Sequence, residues 1–170
     1  MATLGQETSN LLTKRSWLIP VDDSDASEEA LQWTLDNLFK KGDEIHFFHV
    51  VPLPVPEMVG GVGLGGVGDF IMADPDPKID QKHIRDAQEF IQRRYIPRCE
   101  AGRVDYKIEI VHFGTDCDSV GAVICQRAEK LNAAGVVMAK HNRGRISEFF
   151  LGSVTKYCTH HSKQPVVVLH

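Results

Sequence analysis

The chain has 170 residues, 42% of them hydrophobic and 25% charged, with two tryptophans, three tyrosines and eight phenylalanines to fill a core. That length and supply suit one globular domain and exclude wholesale disorder. Lys plus Arg number 19 against 23 Asp plus Glu, a net charge of −4, which argues against a dedicated nucleic-acid binder whose affinity would come from phosphate contacts. There is no run of eighteen apolar residues and no charged start followed by an apolar core. Neither a membrane span nor a secretory leader is expected, and the expected location is the cytoplasm.

In chain order, a tail over residues 1–15 is expected to be flexible, ahead of a single domain over residues 16–170. Residues 17–21 (Trp-Leu-Ile-Pro-Val) form a short apolar run that predicts a buried strand, and Asp22, Asp23, Ser24 and Asp25 follow as a helix-start signal. Asp25 and Glu28 have capping-box spacing, Leu31, Thr34, Leu35 and Leu38 recur at helical intervals, and Gly42 is expected to stop the helix. Residues 45–51 are aromatic and β-branched, hence a second strand. A second helix carries Ile84, Ala87 and Ile91 on one face and is expected to close at Pro97.

Over residues 104–110 charged Asp105, Lys107 and Glu109 alternate strictly with Val104, Tyr106, Ile108 and Ile110, which predicts a half-exposed strand at a sheet edge. Thr115 and Asp118 are candidate caps for a third helix bearing Val120, Val123, Ile124, Arg127 and Leu131. Residues 135–139 read as a fourth strand. Gly152 and Ser153 open a fourth helix with Val154, Tyr157, Cys158 and His161 on one face, and a last strand begins at Pro165 and ends at Leu169. Strands alternating with helices imply a parallel sheet with right-handed crossovers. With the alternating strand at an edge, the expected fold is an α/β, Rossmann-like open five-stranded parallel sheet of order 3-2-1-4-5 with helices on both faces. Ligands then belong at the switch point, between the first and fourth strands.

Two connections are longer than the usual 2–6 residues, roughly, of α/β units. Residues 52–78 hold five of the eight prolines and six of the fourteen glycines. Within them Gly63, Gly65 and Gly68 formally match G-x-G-x-x-G, but no strand runs directly into the turn and no helix directly out, so a surface loop is the better reading than a phosphate cradle. Residues 140–151 carry Lys140, His141, Arg143 and Arg145 and end at Gly152 and Ser153. A helix start with nearby cations suits an anion; a solvated basic loop capped by Ser153 is the plainer alternative.

The cysteines and histidines carry less. Cys99, Cys117, Cys125 and Cys158 contain no C-x-x-C pair, so neither zinc-ligand spacing nor a thioredoxin-type motif is present, and reduced, mostly buried thiols are expected. His46 and His49 should face opposite sides of their strand, and the adjacent His160 and His161 diverge on a helix. No metal site is expected from them.

The stretch from Val136 through Arg143-Gly144-Arg145 and Phe149-Phe150-Leu151-Gly152-Ser153-Val154-Thr155 to Val168 closely resembles the universal stress protein family. Residues 17–24 resemble its first strand and V-D-x-S turn. Family members that bind ATP carry G-x-x-G, nine residues, then G-[S/T]. Here Ala139 and Asn142 stand at the first two glycines, and only Gly152-Ser153 is kept. The resemblance implies an adenine nucleotide, ATP or AMP, with Mg²⁺ accompanying ATP. It places Asp22 on the ribose hydroxyls, the main chain near Val50 at the adenine edge, and Pro20, Met138 and Ala139 in the pocket wall. Asn142, Arg143, Gly152, Ser153, Val154 and Thr155 fall around the phosphates. It also implies a homodimer through the strand from Pro165 to Leu169.

The leading reading is thus a stress-responsive nucleotide-binding sensor or adaptor without catalytic residues, with signalling partners unspecified and neither nucleic acid nor membrane among its partners. The alternative is a homodimeric interaction module that binds no nucleotide, because the glycine motif is degraded. A hydrolase or adenylating ligase has the least support, since no G-x-x-x-x-G-K-[ST] loop is present and no carboxylate cluster beyond residues 22–25 suggests bound Mg²⁺.

Overall fold

A computed structural model describes residues 14–52, 77–113, 117–140 and 152–169. The apolar run around Trp17 becomes β1 (Ser16–Pro20), and the chain then turns into α1 (Asp25–Asn37). β2 (Glu44–Pro52) follows, then α2 (Pro77–Arg94), a short α3 (Ile96–Gly102), β3 (Asp105–Phe113) and α4 (Cys117–Lys130). The chain continues through β4 (Gly135–Ala139) and α5 (Ser153–His161) to β5 (Val166–Leu169). All pairings are parallel and the order is β3-β2-β1-β4-β5, so the expected α/β sheet is the observed one.

Strand alternation divides the core. Trp17, Ile19, Ile45, Phe47 and Val137 face α1, α2 and α3, where they pack with Leu31, Phe90, Ile91 and Tyr95. Leu18, Phe48, Val136 and Met138 face α4 and α5 and meet Ile124, Ala128 and Cys158. Burying side chains of this size contributes roughly 1.5–3 kcal/mol each. Both faces being covered explains why β1 and β4 read as unbroken apolar runs, whereas the edge strand β3 alternates.

Four local expectations are corrected. The cap of α1 is Ser24, one residue before Asp25, because its hydroxyl accepts the N–H of Ser27. Glu28 instead accepts ion pairs from Arg94 and Arg98. The helix ends at Asn37 rather than near Gly42, which sits in the following turn with φ of +96°. Pro97 does not close the second helix: α2 stops at Arg94, and Pro97 lies in the first turn of α3, where a missing N–H costs nothing.

Of the expected tail, Lys14 and Arg15 are described and engaged. Lys14 bridges Glu44 and Asp105, and Arg15 pairs with the buried Asp43, which also accepts from the Trp17 indole and the Lys40 N–H. Burial works to raise the Asp43 pKa, but these bonds outweigh it and hold the carboxyl below its ordinary value. The glycine- and proline-rich stretch over residues 53–76 and the Thr115 cap lie outside the described residues. No helix among the described residues is long and apolar enough to cross a membrane.

Candidate functional site

Because the chain leaves β1 toward one face and β4 toward the other, the ends of these strands part and leave a cavity of about 450 Å³. Pro20, Val21 and Asp22 line it from the end of β1, Phe48, His49 and Val50 from β2, and Met138 and Ala139 from β4. Gly152, Ser153, Val154 and Thr155 enter from the start of α5. The structure therefore brings Pro20, Asp22, Val50, Met138, Ala139, Gly152, Ser153, Val154 and Thr155 together around one space. Asn142 and Arg143 lie outside the described residues.

The β1–α1 turn is held from every side. The Val21 N–H donates to the Phe48 carbonyl at 2.9 Å, and the Val21 carbonyl accepts from His49 Nδ1 at 2.7 Å. The buried Tyr95 hydroxyl donates to the Asp22 carbonyl at 2.6 Å, and the Ser24 hydroxyl donates to the Asp22 carboxylate. Burial, the largest cause, pushes the Tyr95 pKa well up, so the phenol keeps the proton that it donates. Asp23, Asp25 and Glu28 converge on Arg94, which spends their charge on fastening α2 to this turn. The turn's geometry is thus set before any ligand arrives.

The α5 end is different. Its N-cap, Gly152, has φ of −58° and supplies no side-chain cap, and a Cβ added there would meet nothing within 4 Å among the described residues. Neither backbone strain nor packing against the described residues requires glycine at this position, and the lack of a Cβ leaves the main chain open to approach. The first N–H groups of a helix have no intrahelical acceptor, and the first turn of α5 holds no acid. The arrangement suits an anion at α5 and a hydroxyl-bearing group at Asp22.

Sequence reasoning missed Val21, Ser27, Phe48, His49, Val120 and Ile124 in this lining. For His49 the three-residue spacing from His46 does predict opposite faces. His46 hydrogen-bonds Glu109, which Arg127 also pairs, while His49 packs edge-on to Phe90 with ring centroids 5.0 Å apart. Burial, outweighing the polar contacts, lowers the pKa of both rings. No group of three or more His, Cys, Asp or Glu among the described residues is placed to hold a metal.

The universal stress protein family profile matches residues 15–170, nearly the whole chain. The chain belongs to the universal stress protein family. It is 32% identical over 166 residues to universal stress protein PHOS34 of Arabidopsis thaliana, covering 89% of this chain and 60% of that protein. It is 30% identical over 159 residues to PHOS32 of the same plant, covering 89% and 62%. This universal stress protein thus spans about three-fifths of the length of those curated relatives.

Among solved structures, hypothetical protein MJ0577 superposes with a TM-score of 0.67 at 22% identity, covering 91% of this chain and 94% of that one. A universal stress protein from Archaeoglobus fulgidus in complex with dAMP superposes with a TM-score of 0.52 at 16% identity, covering 92% and 98%. At these identities the likeness is one of fold.

Proposed function

We propose that this chain binds an adenine nucleotide in the β1–β4 cavity and acts as a stress-responsive sensor or adaptor. The observation that carries the reading is the pairing, across one cavity, of the Asp22 carboxylate, on a turn whose main chain Tyr95 holds, with the glycine-opened start of α5, which no side chain among the described residues caps. Asp22 accepts the ribose hydroxyls, the main chain near Val50 meets the base, Pro20, Met138 and Ala139 flank it, and Gly152 to Thr155 receive the phosphates, with Asn142 and Arg143 assigned to the same end. The dAMP complex of a relative with this fold supports the ligand class. Mg²⁺ enters with the phosphates of ATP rather than on a preformed protein cluster.

Melting the protein with ATP and with AMP, each with and without Mg²⁺, tests this. A ligand that binds only the folded state raises the melting temperature, by about 2.7 kcal/mol of added stability at a hundred times Kd. Absence of any shift at millimolar nucleotide overturns it. The second reading, an interaction module with an empty cavity, is favoured by the Ala139 methyl in the wall where ATP-binding relatives carry glycine, and that absence would establish it.

We also propose a homodimer through β5. β5 is an edge of the sheet, with apolar residues half-buried in the single chain, and pairing with its own copy about a two-fold axis satisfies both edges. Light scattering should give twice the chain mass for the wild type and one chain mass for Val167→Pro, which removes a mid-strand donor. A monomeric wild type at tens of micromolar overturns it.

A further inference from the structure

Two free cysteines far apart in the sequence pack into one buried cluster where α4 and α5 cross. The crossing is close because of Gly121: a Cβ built there would lie 2.8–2.9 Å from the Tyr157 side chain, nearer than real Cβ contacts come. One turn further along α4 stands Cys125, and beside Tyr157 on α5 stands Cys158. Cys158 Sγ lies 3.7 Å from the carbonyl oxygen of Gly121, one helical turn before Cys125, and Cys125 packs against the same buried cluster that holds Cys158. Cys158 is fully buried, whereas Cys125 is only partly so and is reachable from solvent. Cys125 directly follows Ile124, and Cys158 lies one turn beyond Thr155, both of which line the cavity.

From this juxtaposition we propose that Cys125 and Cys158 are a redox-modification site, which a hydroperoxide converts to a reversible disulfide tying α4 to α5, two walls of the cavity. Cys125, as thiolate, attacks one peroxide oxygen. The O–O bond breaks, and the departing oxygen takes up a proton to leave as an alcohol, or as water from hydrogen peroxide. Cys125 is then a sulfenic acid. The Cys158 sulfur attacks it, the S–O bond breaks, and the hydroxide leaves as water with the proton of the Cys158 thiol. Two thiols have lost two electrons, and the hydroperoxide has gained them. Burial raises the pKa of both thiols, while the contact with Cys158 works the other way on Cys125. The attacking sulfur is Cys125 because it is the partly exposed one that a peroxide can reach, and the scarcity of thiolate makes the reaction slow, suited to sustained exposure.

The test exposes the full chain to hydrogen peroxide, alkylates the remaining thiols and maps linked peptides by mass spectrometry without reductant. The expected product is an intramolecular Cys125–Cys158 link that dithiothreitol reverses, absent from Cys125→Ser and Cys158→Ala and retained in Cys99→Ser and Cys117→Ser. Oxidised wild type should also melt higher than reduced, since the link restricts the unfolded chain, and the rise should vanish in Cys125→Ser, where a partly exposed position accepts serine without loss of the fold. Sulfinic acid at Cys125 with Cys158 still alkylated, a link that uses Cys117 instead, or four alkylated thiols after treatment would each overturn the proposal. None of these readouts involves a nucleotide, so the outcome is separate from that of the ligand reading.

Discussion

The two walls of the cavity are built in opposite ways. At the β1–α1 turn, contacts from β2, α2 and the residue after α2 converge on Val21 and Asp22, and Arg94 absorbs the neighbouring acids. At the α5 start no side chain among the described residues caps the helix, and none of them lies within 4 Å of a Cβ built on Gly152. One wall is organised by side chains of the protein itself; the other presents the main chain of a helix start. A difference of this kind separates residues whose loss harms the fold from residues whose loss harms binding alone.

The sharpest way to break the comparison is to remove one group from each wall. Asp22→Ala and Gly152→Val should each abolish the ATP-dependent rise in melting temperature, a loss of about 2.7 kcal/mol at a hundred times Kd. Gly152→Val should leave the empty fold within about 1 kcal/mol of wild type, the N-cap preference of glycine over valine, because none of the described residues would clash. A large loss of apo stability in that variant would show that the α5 wall is packed after all.

On the held wall, Tyr95→Phe deletes only the hydroxyl that reaches the Asp22 carbonyl and should cost about 1–2 kcal/mol in urea unfolding. ATP affinity should fall with it. Ser24→Ala, which removes the α1 cap and the bond to the Asp22 carboxylate, should cost about 1 kcal/mol. Unchanged unfolding midpoints for both variants would mean that the turn needs no such support.

Acid should loosen the held wall in particular. Burial holds His49 below its ordinary 6.5, so the folded state resists a proton that the unfolded chain accepts. Stability is therefore complete above about pH 6.5 and is lost as pH falls through the lower folded value. His46 acts in the same direction. Melting curves taken across this range should show the loss, and His49→Asn, whose amide can still donate to Val21, should flatten part of it. A profile that stays level below pH 6.5 would contradict the burial of both rings.

The smallest effect is expected on the open side. Ala139→Gly with Asn142→Gly restores the glycines of ATP-binding relatives and should tighten ATP a few-fold, under about 1 kcal/mol, and adenosine hardly at all. Equal ATP affinities in calorimetry would show that the Ala139 methyl does not obstruct the phosphates.

Much of this architecture was legible in the sequence because it is written locally. Apolar runs and helical spacing at Trp17, Leu31, Phe47 and Val137 mark strands and helices within a few residues of themselves, and the alternation around Glu109 marks an edge. The resemblance carried Asp22 and Gly152 to their places as candidates. What only the tertiary structure decided are meetings between distant residues: Tyr95 on Asp22, Arg94 on three acids, His49 on Val21, and Cys158 on the Gly121 carbonyl one turn before Cys125. Even the choice of Ser24 over Asp25 as helix cap turned on how the chain leaves β1. A hydrogen bond or ion pair forms wherever packing brings donor and acceptor within reach, and that distance is set by how helices settle on the sheet, which no spacing along one chain records.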